Sequence, residues 1–310
     1  MSRLVAKAAM KIGPVAVSGF VVVLVLLAAN ALAVFMRAAQ DVNAEKSNPP
    51  YTTIFYKSGT LRIEAYLYKP IGAGPFPLVI YNHGNRPPGR ERIEVPNPFI
   101  GQLLTEAGYA VLVPERRGFG KSDGQTFAEE VGADIDAKFT GRVQAETDDV
   151  LAGIEYARTE PSINTKRIAI MGYSLGGQVT VFAASRSGAF VAAIAQASGS
   201  LSWDKSPALR KTLPAAAGKI GIPILCMVAE NDATTAAVQS VYDAAHAHRA
   251  PAELVIYPPF KPSDALASSF SDAGLASLLR TAPGHLIFTP EGMPIWSKDV
   301  LAFLGKYLRG

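Results

Sequence analysis

An α/β fold with one open, mostly parallel sheet and helices on both faces is predicted by three features of this sequence. An alternating hairpin pattern begins at residue 51, short apolar runs then alternate with helical segments, and the third run ends in a glycine-flanked serine.

Residues 1 to 40 differ in kind from the rest. Three positive charges, Arg3, Lys7 and Lys11, precede an almost unbroken apolar stretch from Pro14 to Met36, long enough to cross about 30 Å of hydrocarbon as a helix. The segment reads as an uncleaved transmembrane anchor over 14 to 36, or alternatively as a signal peptide removed near Ala33. In both cases the positive flank stays in the cytoplasm and the rest is exported. Residues 41 to 50 read as a linker and 51 to 310 as one catalytic domain.

From Tyr51 the chain alternates with period two. Leu61, Ile63, Ala65 and Leu67 share one face, Arg62, Glu64, Tyr66 and Tyr68 the other, and Ser58-Gly59 supplies the turn of an antiparallel hairpin. Six runs follow that are apolar on both faces, as buried parallel strands require: Pro77 to Tyr81, Ala110 to Pro114, Arg167 to Met171, Val191 to Ala195, Pro223 to Val228 and Glu253 to Tyr257. Between and after them, helical spacing marks Pro98 to Ala107, Arg142 to Arg158, Leu175 to Ser185, Thr235 to His246 and Trp296 to Leu308. Asp148 and Asp149 read as a solvated helix face. Open sheets of this kind carry their sites at the carboxyl ends of the strands.

At such an end stands Gly172-Tyr173-Ser174-Leu175-Gly176-Gly177. A strand-to-helix turn that exposes a serine hydroxyl leaves no room for side chains two residues before and after it, so Ser174 is the candidate nucleophile. A serine hydroxyl at neutral pH needs a base, and the base needs an acid to hold its tautomer. Of four histidines, His246 and His248 fall in a helical stretch on the flank, and His83 reads as a structural loop residue bonded to backbone. His285, after the last strand, is placed to reach the serine. The loop after Val228 offers two acids, of which Asp232 fits better than Glu230. For the tetrahedral oxyanion the candidate donors are the backbone N–H groups of Leu175 and of Asn85, the latter beside Gly84 after the first parallel strand.

His83-Gly84, the run Arg117-Gly118-Phe119-Gly120-Lys121-Ser122, Gly172 to Gly176, Asp232 and His285 together resemble the α/β-hydrolase family. Within it they resemble the branch of dienelactone hydrolase-like and prolyl oligopeptidase-like serine hydrolases. The resemblance covers residues 51 to 310 and implies hydrolysis of a carboxylic ester, with thioesterase, small serine peptidase or a non-catalytic hydrolase-fold binding protein as alternatives. Dienelactone hydrolases proper carry cysteine where this chain has Ser174.

Two segments depart from the simplest version of such a fold. Gly199 to Ile222 leaves room for no more than a small cap. Pro258 to Gly284 contains two candidate helix starts, Ser263-Asp264 and Ser271-Asp272. It reads either as a lid presenting Leu266, Phe270, Leu275, Leu278 and Leu279 or as a surface excursion.

Composition limits the partners. The net charge of +4 is too small and too scattered to mark a nucleic-acid binder. Arg86, Arg90 and Arg92 read as solvated. The single cysteine, Cys226, sits in an apolar run as core packing, and no His/Cys spacing suggests a metal. No metal and no cofactor are therefore expected, and a small-molecule ester is the expected partner. Oligomeric state is not set by these patterns.

Overall fold

The computed structural model describes residues 50–132, 135–269, 277 and 280–308. The expectations for residues 1–40, for most of the linker 41–50, and for Phe270, Ser271, Asp272, Leu275, Leu278 and Leu279 lie outside them. Among the described residues no helix is long and apolar enough to cross a membrane.

The hairpin forms as β1 (Tyr51–Ser58) and β2 (Leu61–Tyr68), paired antiparallel with Ser58 opposite Leu61. The apolar runs form β3 (Phe76–Asn82), β4 (Ala110–Glu115), β5 (Ile163–Tyr173), β6 (Phe190–Gln196), β7 (Ile224–Ala229) and β8 (Ala252–Tyr257). The sheet order is β1-β2-β4-β3-β5-β6-β7-β8, antiparallel through β2–β4 and parallel from there on.

Strand residues alternate between two apolar layers, which is why these runs are apolar on both faces. On one face Ile63, Leu78, Ile80, Leu112, Ile168 and Ile170 pack against α3 (Ile135–Thr159), α4 (Leu175–Arg186), α5 (Pro207–Ala217) and α6 (Ala236–Ala247). On the other, Val79, Tyr81, Val111, Met171, Leu225 and Met227 pack with α1 (Pro98–Glu106) and α8 (Met293–Leu308). Each large side chain so buried contributes about 1.5–3 kcal/mol. Cys226 belongs to the first layer, and burial pushes its thiol pKa up to about 12, so it packs as a small apolar group.

Short helices appear where no helical period was read. In α2 (Phe127–Val131), Thr126 and Glu129 form a reciprocal capping box. In α5, Ser206 caps the Leu209 N–H and Pro207 occupies the first turn, and Leu209 and Leu213 seat this helix in the core. The Gly199–Ile222 segment thus holds a small helix. At the other predicted start, Ser263 Oγ accepts from Leu266 N at 3.2 Å and opens α7 (Asp264–Ser269).

Two surface assignments are corrected. Asp148 is solvated beside Arg186, but Asp149 is fully buried. Arg142, Glu146 and Asp149 follow each other along α3 at helical spacing, and Asp149 accepts from the Arg117 backbone N–H and guanidinium at 2.9 Å. Arg86 is likewise no solvated arginine: it donates to Glu115 Oε1 at 2.7 Å and to the carbonyls of Glu91 and Ile93. Arg92 binds the carbonyls of Ser122 and Gly124, and Arg90 is exposed.

Candidate active site

β5 ends at Tyr173 and α4 begins at Leu175, so the single residue Ser174 turns the chain. Its backbone stands at φ 58° and ψ −118°, which L residues rarely adopt. Such strain costs on the order of 1–3 kcal/mol and persists only where the surroundings over-determine it. Ser174 N donates to Gln196 O at 2.8 Å, and Ser174 O accepts from Gln178 N at 3.2 Å.

The flanking glycines are demanded by space. A Cβ on Gly172 would lie 2.2 Å from the Gly176 carbonyl oxygen, and one on Gly176 would lie 2.0 Å from the Asn82 oxygen. Gly176→Ala is therefore expected to destabilise by about 1–3 kcal/mol, lowering the melting temperature by roughly 2–10 °C. Gly141 in α3 meets nothing within 4 Å, and Gly141→Ala should stabilise by about 0.5–1 kcal/mol. Thermal melts of the two variants check the contrast, and equal shifts would refute the steric account.

His285 arrives from a 3-10 turn, Pro283–Phe288, rather than from an open loop. Its Nε2 lies 2.9 Å from Ser174 Oγ, and its Nδ1 lies 2.9 and 3.1 Å from the two oxygens of Asp232. His285 and Asp232 are buried and Ser174 is half-buried. An ionised carboxylate only accepts, so Nδ1 carries the proton and Nε2 faces the hydroxyl as an acceptor.

The acid loop and the base turn are stitched together. Asn231 exchanges two hydrogen bonds of 2.9 Å with the Phe260 backbone, and its carbonyl accepts from Gly284 N at 3.1 Å. A Cβ on Gly284 would meet Asn231 Oδ1 at 2.4 Å, so glycine is required for this approach. Glu230 is exposed and joins the fold here through its backbone N–H to Tyr257 O.

Tyr173 was read only as the variable position of the serine motif. It donates its hydroxyl to the His285 carbonyl at 3.0 Å and packs its ring 5.0 Å from the imidazole. Burial, then the Asp232 charge, pushes its pKa well up and keeps it a donor.

Leu175 occupies the first helical position, whose N–H has no acceptor within the helix. Gly84 passes beside the nucleophile, since a Cβ on it would lie 3.3 Å from Ser174 Cβ. Asn85 follows it, exposed. His83 is buried, and its Nδ1 donates to Gly84 O at 2.7 Å, which is the backbone bond expected of it. His246 lies on the exposed flank of α6, and His248, also exposed, caps its end. Two surface clefts, one beside Arg142 and one beside Arg186, contain none of Ser174, Asp232 and His285. Side-chain geometry marks the site.

Comparison with known proteins bears on the family and the fold. The Dienelactone hydrolase family pattern matches residues 63–262. The quorum-quenching protein AidA of Acinetobacter baumannii is 29% identical over 141 residues, covering 46% of this chain and 41% of that protein. An acylaminoacyl peptidase from Pyrococcus horikoshii shares 20% identity over 83% of this chain and 41% of that one, with a TM-score of 0.59. An esterase from Pyrococcus furiosus shares 19% identity over 84% of this chain and 93% of that one, with a TM-score of 0.55. At these identities the structural likeness shows the fold, and the matched region spans about two fifths of the first two proteins.

Proposed function

Because this chain belongs to the dienelactone hydrolase family, a family of α/β-fold hydrolases, we propose that it cleaves a carboxylic ester through an acyl-enzyme on Ser174. The observation that carries the reading is the unbroken line from Ser174 Oγ through the His285 imidazole to Asp232.

In the proposed reaction His285 Nε2 takes the hydroxyl proton as Ser174 Oγ bonds to the ester carbonyl carbon. The resulting oxyanion is met by the Leu175 N–H and, from the loop beside Gly84, the Asn85 N–H. His285 then gives its proton to the departing alcohol, and water repeats the sequence to release the acid. Asp232 stays ionised and steadies the imidazolium. None of these steps requires a cofactor.

The same proposal places the domain outside the cytoplasm, carried there by the apolar segment 14–36 acting as an anchor. The N-terminal sequence of protein recovered from the native host tests that part. A start at Val34 would replace the anchor with a cleaved signal.

A fluorophosphonate probe should label the wild-type protein at Ser174, located by peptide mass. A panel of p-nitrophenyl esters, acyl thioesters and proline peptides should then show turnover on the oxygen esters first. Labelling with turnover confined to thioesters or peptides would overturn the ester assignment, and no labelling would overturn the nucleophile.

A further inference from the structure

Behind the loop that carries Asn85 lies a group of buried ionisable side chains that the proposed reaction does not use. His83 Nε2 and Glu115 Oε2 face each other at 3.4 Å. Both atoms are buried and neither has a hydrogen-bond partner among the described residues. Yet His83 Nδ1 must carry a proton, because the Gly84 carbonyl it contacts at 2.7 Å can only accept. Nε2 of a neutral His83 is then a bare lone pair 3.4 Å from a carboxyl oxygen. The gap is too short for a water donating to both.

A proton between them turns this repulsion into an attraction, and closing the 3.4 Å gap by a few tenths of an ångström makes it a hydrogen bond. The other carboxyl oxygen is already spoken for, since Glu115 Oε1 accepts from Arg86 Nη2 at 2.7 Å and from Val95 N at 2.9 Å. That leaves Oε2 as the place for the proton.

We propose that His83 and Glu115 share one buried proton and so act as positioning residues for the second oxyanion donor, an inference that rests on Ser174 and Asn85 acting as assigned above. The link runs through one rigid unit. The Gly84 C=O and the Asn85 N–H belong to the same planar trans peptide, so holding the carbonyl on one side aims the N–H to the other.

The surroundings favour keeping the proton. From β2, Glu64 lies opposite Glu115 in register, and Tyr66 adds a buried hydroxyl without a hydrogen-bond partner among the described residues. From the loop before α1, Glu94 is paired to Lys121, whose own N–H holds Glu64 Oε2. From the residue after β4, Arg116 is bound to Glu146 of α3 and to the His83 carbonyl. Burial raises the carboxyl pKa of Glu115 against the pull of Arg86 and Arg116, and it raises that of Glu64 too. Burial, then Arg116 and Arg86, pushes His83 well down and disfavours an imidazolium there.

Loss of the proton to solvent leaves a carboxylate against a lone pair, loosens His83 from Gly84 and disorients the Asn85 N–H. Turnover therefore falls as pH rises through the folded pKa of Glu115, while substrate binding is little changed. Stability follows the same sign. A carboxyl with a raised folded pKa keeps a proton that the unfolded chain has lost, so its contribution is complete below about pH 4.5 and disappears as pH rises through the folded value.

The test uses the full-length protein and Glu115→Gln, whose amide N–H donates to His83 Nε2 at every pH while its oxygen keeps Arg86 and Val95. Nitrogen NMR of labelled histidine should show a neutral, Nδ1-protonated His83 with a hydrogen-bonded Nε2 at pH 7 in the wild type. For p-nitrophenyl butyrate, kcat of the wild type should fall about tenfold or more as pH rises through the folded pKa of Glu115, with KM within roughly twofold, and Glu115→Gln should lack that fall. An Nε2-protonated or cationic His83, or that fall unchanged in Glu115→Gln, would overturn the proposal. A wild type that neither labels with fluorophosphonate nor turns over the ester refutes the hydrolase reading instead, and the NMR result then decides the shared proton alone.

Discussion

Replacing Ser174 by alanine should lower turnover of any ester the wild type accepts by at least about 10⁴-fold, equivalent to about 5.5 kcal/mol of transition-state stabilisation. The fold should survive. The hydroxyl is half-buried, its removal opens no core cavity, and alanine tolerates φ 58° about as well as serine does. His285→Ala should cost a similar amount. The double variant should cost little more than either, because nucleophile and base act as one unit. Initial rates on p-nitrophenyl butyrate, measured beside thermal melts, decide the matter. More than about a tenth of wild-type activity in Ser174→Ala with an unchanged melt would remove Ser174 from the mechanism.

Asp232→Asn should lower kcat by on the order of 10³–10⁴ with little change in KM. The amide N–H of asparagine would donate to His285 Nδ1 and drive the ring proton to Nε2. There it faces the Ser174 hydroxyl as a donor and can no longer accept from it. Glu230→Gln is the matched control, one turn of loop away, exposed and joined to the fold through its backbone. It should change kcat by less than about threefold. If Glu230→Gln proved the more damaging of the two, the acid would have been assigned to the wrong residue of the loop.

These expectations were legible before any coordinates, because the local signals were strong and of the right period. Two-sided apolar runs such as Pro77 to Tyr81 and Arg167 to Met171 can be satisfied only inside a sheet covered on both faces, and β3 and β5 formed there. The serine motif announced itself by two glycines that later proved sterically obligatory. Two helices were overlooked although their start signals were present. Thr126-Phe127-Ala128-Glu129 is a capping box in a helix too short to show a period, and Ser206-Pro207 is a cap followed by a first-turn proline, ahead of Leu209, Leu213 and Ala216 at helical spacing. Asp149 was misplaced for another reason: a charge at helical spacing looks the same whether it faces water or a buried arginine contributed from 32 positions away.

What the sequence by itself determined was the strand order in time and the site of the elbow. Each is written in contiguous stretches whose periodicity or turn chemistry stands without distant partners. Only the tertiary structure decided which polar groups meet. It brought Asp232 to within 2.9 Å of His285 across 53 residues, buried Arg86 against Glu115, and set His83 Nε2 against a carboxyl oxygen of the neighbouring strand. Such pairings depend on sheet order and on burial. A buried charge is tolerable only if a partner arrives from elsewhere in the chain, and no local pattern names that partner.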